Sequence, residues 1–331
     1  MSALAPKGLT WSVLRLHRSA LLVTAAFLAA SVAALAWVRT IGLEAARGSG
    51  PCGSPDSGLP LCLEDFTSSP AHEYSGNMSL ASTVIAWLPL AVAVYAGGVL
   101  TGRELERGTA ALSWTQSVTP SRWLAAKLTL PALLIAAGFA VLSLTYRWAR
   151  VVGISGSTLG DQWYYEDVFA ALGPVDVAYA LCGLAIGALS GLLLRRALPA
   201  AGLALVVTGF LMMAAERYRD RLWPPVDRVT ATPGEMPDSF WQLGNGVVTA
   251  SGERVGVITS TSRLIRDRLC GDEYGAALAQ CRSGATITDA YAVFHPASHF
   301  WPLQLVETGI VLALTAAATA AAFLILRRRH A

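Results

Sequence analysis

Six apolar runs, each about the length a helix needs to cross a hydrocarbon core, constrain every other residue of this chain. They cover residues 19–38, 80–100, 128–148, 174–194, 197–215 and 302–326. In lipid, backbone N–H and C=O groups have no water to bond, so each run must satisfy its own as a helix. Only 14% of the 331 residues are charged, where a soluble chain carries about a quarter. The expected class is an all-α polytopic membrane protein with six transmembrane helices and a long extracellular region between the fifth and sixth. Its divisions are a lead (1–18), spans one to five with their loops (19–215), the extracellular region (216–301), and the sixth span with a basic tail (302–331).

The lead places Trp11, Leu14 and Arg18 at helical spacing, as an interfacial helix would over residues 9–18. A signal peptide is the competing reading of the first run, because Ala34-Leu35-Ala36 resembles a cleavage site. Pro89 is expected to break the second span. Arg195-Arg196 joins the fourth span to the fifth so tightly that the two must form an antiparallel hairpin.

Six spans return both termini to one side, and the basic residues say which. Lys7, Arg15, Arg18, Arg103, Arg107, Arg122, Lys127, Arg195, Arg196 and Arg327 to Arg329 share that side with only Glu104 and Glu106. Short loops rich in Arg and Lys stay in the cytoplasm, so the termini are expected inside a cell membrane. Arg217, Arg219 and Arg221 conflict, but they open a long loop, where the rule has little force. Trp37, Trp123, Trp148 and Trp301 fall at span ends, as interfacial anchors do.

Cys52 and Cys62 then lie in the first extracellular loop, Cys270 and Cys281 in the last, and Cys182 alone within the fourth span. Two close pairs facing an oxidising exterior read as two local disulfides, each worth about 2–3 kcal/mol by loop closure; free thiols are the alternative. The first half of the region before the sixth span (Trp223-Pro224-Pro225, Pro233, Pro237) reads as irregular, followed by strand character over 255–259 and one short helix over 272–280. It has too little apolar mass for a domain of its own, so it is expected to cap the helices. His295 and His299 stand four apart, a spacing that shares a metal on a helix, but Pro296 disfavours helix and they read as surface or interfacial histidines. Glu307 is the one acid placed well inside a span, which marks it as a candidate functional group or as the partner of a helix end.

Several chemistries find no residues. There is no G-x-x-x-x-G-K-[ST] phosphate loop, no H-E-x-x-H and no G-x-S-x-G, and no paired carboxylates are expected within the spans. A net charge of +3 gives no basic field for nucleic acid. Gly183, Gly187 and Gly191 repeat G-x-x-x-G along the fourth span, a stripe along which another helix can approach closely.

The longest charged interruption on the cytoplasmic side covers residues 102–127. It holds E-L-E-R-G-T (Glu104 to Thr109), an amphipathic segment over 110–117, and a Thr119-Pro120-Ser121 helix start. The pattern E-x-E-R-G-T followed by T-P-S-R-W and a lysine resembles the inner loop of ABC export permeases of the type-2 class. The stretch from Phe294 to Glu307, F-H-P-A-S-H-F-W-P-x-Q-x-x-E, is similar to the matching segment of actinobacterial members. The resemblance implies a membrane subunit that binds no cofactor, with ATP-Mg held on a separate ATPase subunit. It implies pairing with itself or a related permease, and export of a lipid-like or drug-like substrate. Carried over by position, Glu104, Glu106, Arg107, Gly108 and Thr109 form the ATPase contact, with Arg122 and Lys127 anchoring the next helix. The fifth-to-sixth loop is longer than the family pattern. A membrane-anchored binding or sensory protein using its extracellular loops is the alternative, and a membrane enzyme a third reading.

Overall fold

The computed structural model describes residues 18–48, 70–110, 119–152, 162–230, 240–249, 252, 254–256 and 287–328. Among them, six helical stretches are long and apolar enough to cross a membrane. The helices are α1 (Arg18–Gly48), α2 (Pro70–Tyr95), a short α3 (Arg103–Glu106), α4 (Pro120–Arg150), α5 (Glu166–Leu172), α6 (Val175–Leu194), α7 (Ala197–Tyr218) and α8 (Phe300–Arg328). A π-helical segment, Ala96–Gly102, joins α2 to α3, so the second span runs on as one rod from Pro70 to Glu106.

Two of these elements depart from expectation for physical reasons. Pro89 sits inside α2 without ending it. The irregularity comes later, where the chain widens into the π-turn and the Thr101 hydroxyl donates to the Ala96 carbonyl at 3.0 Å. Helix α1 outruns its apolar stretch by ten residues, from Val38 to Gly48. Arg39 supports that extension by donating to the carbonyls of Trp148 and Val151 at 2.5 and 2.6 Å while its guanidinium lies over the Trp148 ring.

The helical unit has two apolar clusters. One gathers Leu35 and Val38 of α1, Met78 and Ile85 of α2, and Leu142 and Tyr146 of α4. The other gathers Leu100, Trp123, Leu124 and Leu128 with Leu184 and Leu192 of α6 and Leu326 of α8. Trp123 is therefore buried at 3% exposure and not an interfacial anchor, whereas Trp37, Trp148 and Trp301 are about half exposed. Helix α6 is the most enclosed span. Its glycine stripe lies against the second span, where a Cβ on Gly183 would meet the Pro89 carbonyl oxygen at 2.8 Å and one on Gly187 the Ala93 oxygen at 2.6 Å. At Gly191 the added atom would strike Thr101 Oγ1. Close backbone approach of this kind gains dispersion where lipid offers no hydrophobic drive.

Residues Arg217–Leu303 form a second compact unit. It corrects the all-α expectation and the reading of the first half of this region as irregular. Four strands, β1 (Val226–Thr230), β2 (Phe240–Thr249), β3 (Arg254–Gly256) and β4 (Ile287–Pro296), make an antiparallel sheet in the order β1-β4-β2-β3. The pairing of Trp241 with His295 and of Gln242 with Phe294 sets the register of β2 on β4, with a bulge before Gly244. Phe294 is buried against Phe240, ring centroids 5.3 Å apart. Of the strand expected over 255–259, only Val255 and Gly256 are described, in β3; the helix expected over 272–280 lies outside the described residues.

Candidate functional site

The charged stretch after the second span is a helix end built to bond two other helices. Helix α3 stops at Glu106 because Gly108 takes a left-handed φ of +70° and turns the chain back, its N–H bonding the Leu105 carbonyl at 3.3 Å. The Thr109 hydroxyl bonds the Glu104 carbonyl at 3.2 Å, closing the turn. The E-R-G-T motif is thus a C-cap, with Arg107, Gly108 and Thr109 exposed on its outside.

Its two acids point elsewhere. Glu104 Oε1 lies 2.5 Å from Lys127 Nζ, and that ammonium also donates to the Leu100 carbonyl at 3.0 Å. Lys127 is buried in α4, only 3% exposed, with its charge 5.3 Å from the Trp123 ring centroid. A cation out of water needs such partners, and here they are a carboxylate, a carbonyl and an aromatic face. Glu106 Oε2 accepts from the Ala197 N–H at 2.8 Å, one of the unpartnered donors at the start of α7. At the other end of the stretch, Thr119 Oγ1 caps α4 by accepting from Arg122 N at 3.4 Å, with Pro120 in the first turn. The Arg122 side chain is exposed. Apart from Ala110, the amphipathic segment expected over 110–117 lies outside the described residues, as do Cys52, Cys62, Cys270 and Cys281.

A second group of polar residues lies buried between α5, α6 and α8. Glu307 is 1% exposed and accepts from the Tyr179 hydroxyl at 2.8 Å. One turn earlier in α8, Gln304 donates to the Phe169 carbonyl at 2.6 Å and accepts from Val175 N at 3.3 Å, bridging the end of α5 and the start of α6. Gln304 is a letter of the Phe294–Glu307 motif, but the sequence assigns it no role of its own; that role depends on the α5–α6 corner at Gly173, where a Cβ would collide with it.

Asp176 corrects the expectation that Glu307 is the sole acid within the spans. It is fully buried in the first turn of α6, and neither carboxyl oxygen has a hydrogen-bond partner among the described residues. Its position two residues inside the fourth run was legible in the sequence, and an acid so close to a span end passes for an interfacial one.

Of the two histidines, His295 is not a surface group, while His299 stays partly exposed. His295 is fully buried at the end of β4, and the 3-10 turn Ala297–His299 brings His299 round so that the two Nδ1 atoms stand 3.0 Å apart. His295 Nε2 lies 3.0 Å from the Asp220 carbonyl oxygen. A carbonyl only accepts, so Nε2 carries a proton. Burial holds the His295 pKa below its usual value, with the Asp220 carbonyl opposing and His299 reinforcing that shift.

Residues 19–219 match the family described as ABC-2 membrane transporter related. That span covers well over half of the chain, which therefore belongs to this family of ABC transporter membrane permeases. It is a multi-pass membrane protein, and a permease of this family is a membrane component without catalytic chemistry of its own. No curated protein matches the chain.

Proposed function

We propose that this member of the ABC-2 permease family is the membrane subunit of an exporter and that a separate ATPase subunit docks on the turn from Arg103 to Thr109. The observation that carries the reading is the double attachment of α3. Glu104 ties it to Lys127 of α4, and Glu106 ties it to the first N–H of α7. A push on the exposed Arg107-Gly108-Thr109 edge would reach three spans through two short polar bonds, without passing through a flexible loop. Force delivered there would shift the helices between alternative packings as the ATPase closes on ATP-Mg.

The division of labour within the motif follows from exposure. Arg107, Gly108, Thr109 and Arg122 are available to a partner, whereas Glu104 and Lys127 transmit within the membrane subunit. The excess of arginine and lysine around this turn supports a cytoplasmic location for it and for both termini. Six spans are half the usual complement, so the chain would work as a homodimer or with a related permease. A lipid-like or drug-like cargo suits spans whose outward faces are apolar. Co-purification of the ATPase with the permease tests the docking surface. Arg107→Glu and Gly108→Val should each abolish association, and unchanged recovery of the ATPase with both would refute the assignment.

A further inference from the structure

We propose that His295 and His299 form a binding site for a tetragonal divalent transition-metal ion, Cu²⁺ foremost. The site belongs to the sheet-containing unit Arg217–Leu303 and stands or falls apart from the permease reading. Three features of the pair point to a metal. First, the Asp220 carbonyl fixes a proton on His295 Nε2, so the lone pair of the neutral ring sits on Nδ1. A ligating imidazole typically has its other N–H held this way, which orients the ring and raises its basicity. Second, His299 Nδ1 stands 3.0 Å from the nitrogen that carries this lone pair. Two nitrogens at this separation, each about 2.0–2.1 Å from a common ion, subtend about 95° there. This is narrower than a tetrahedral angle and fits two neighbouring corners of a tetragonal Cu²⁺ or Ni²⁺ sphere, of which copper binds the more tightly. Third, His299 is partly exposed, so an ion has an approach from solvent, while His295 and the rings of Trp241 and Trp223 back the pair.

The objection raised by the sequence was that Pro296 prevents the helix on which an i, i+4 pair converges. The structure meets it differently: β4 ends at Pro296, and the following 3-10 turn folds His299 back over His295. Without metal the two nitrogens share one proton as an N–H···N bond. The ion takes that proton's place, and the neutral His299 ring carries its hydrogen on Nε2 instead. Among the described residues no third histidine, cysteine or acid joins the pair, so water or an incoming ligand completes the sphere.

The test uses the untagged full chain in lipid nanodiscs titrated with CuCl₂ and followed by electron paramagnetic resonance. One equivalent should give an axial Cu²⁺ signal with coupling to two nitrogens and raise the melting temperature. His299→Asn should weaken binding at least tenfold while leaving the metal-free melting temperature close to the parent's. His295→Asn should do the same to binding, but because His295 is buried its metal-free melt is read alongside. Absence of a two-nitrogen signal, or equal Cu²⁺ affinity in the parent and His299→Asn, would overturn the site and leave the pair as a hydrogen bond only.

Discussion

Lys127 Nζ lies 2.5 Å from Glu104 Oε1, and the pair joins two spans at a point where the lysine is cut off from water. Removing one partner leaves the other charge buried and uncompensated, which costs on the order of 3 kcal/mol. Glu104→Gln should therefore lower the melting temperature of the permease sharply. The double variant Glu104→Gln with Lys127→Met should recover most of the loss, because no charge is then stranded. Thermal unfolding of the parent and the two variants in nanodiscs tests this.

Gly187 offers a steric test of the fourth span. A methyl there would stand 2.6 Å from the Ala93 carbonyl oxygen, so Gly187→Ala should destabilise by about 1–3 kcal/mol through overpacking. At Gly202 of α7 nothing lies within 4 Å of an added Cβ, and Gly202→Ala should be neutral or stabilise by about 0.5–1 kcal/mol. Equal effects at the two positions would argue against the close approach of α6 to the second span.

Asp176 should behave in the opposite sense. A buried carboxyl without partners is a net burden of about 1–3 kcal/mol, so Asp176→Leu should raise stability if the cavity accepts its shape. Activity carries the second half of the prediction. Export that falls while stability rises would show that the carboxyl is kept for transport; intramembrane acids are commonly retained on those terms.

The sheet unit should weaken in acid. The His295 pKa is lowered by burial, so the unfolded chain binds a proton that the folded chain resists. Stability from this group is complete above the unfolded value near 6.5 and falls as the pH drops below it toward the folded value. Melting temperatures taken between pH 7.5 and about 5.5 should decline more steeply for the parent than for His295→Phe.

Hydropathy made the six spans legible because the length of an apolar run and the thickness of a bilayer are directly comparable. It was blind to hydrogen-bonded length, so α1 was expected to end near Val38, whereas Arg39 carries it onward by bonding the end of α4. The sheet is hard to read from the sequence because its central pair is remote: Trp241 meets His295 across more than fifty intervening residues. Within the site, the E-R-G-T spacing marked the right place. It could not separate Glu104 and Glu106, which bond to other helices, from the exposed edge Arg107 to Thr109. Asp176 was visible as a letter, but its lack of a hydrogen-bond partner among the described residues is a property of the packed helices around it.

The π segment Ala96–Gly102 gives the second span a stored twist. A π-turn holds more residues per turn than an α-turn, so absorbing a single surplus residue into regular α-helix would rotate everything downstream by about 100°. Such a rotation would carry Glu104 off Lys127 and Glu106 off Ala197 in one movement. Those two contacts hold the rod's angular phase, in the way that a detent holds a dial between settings.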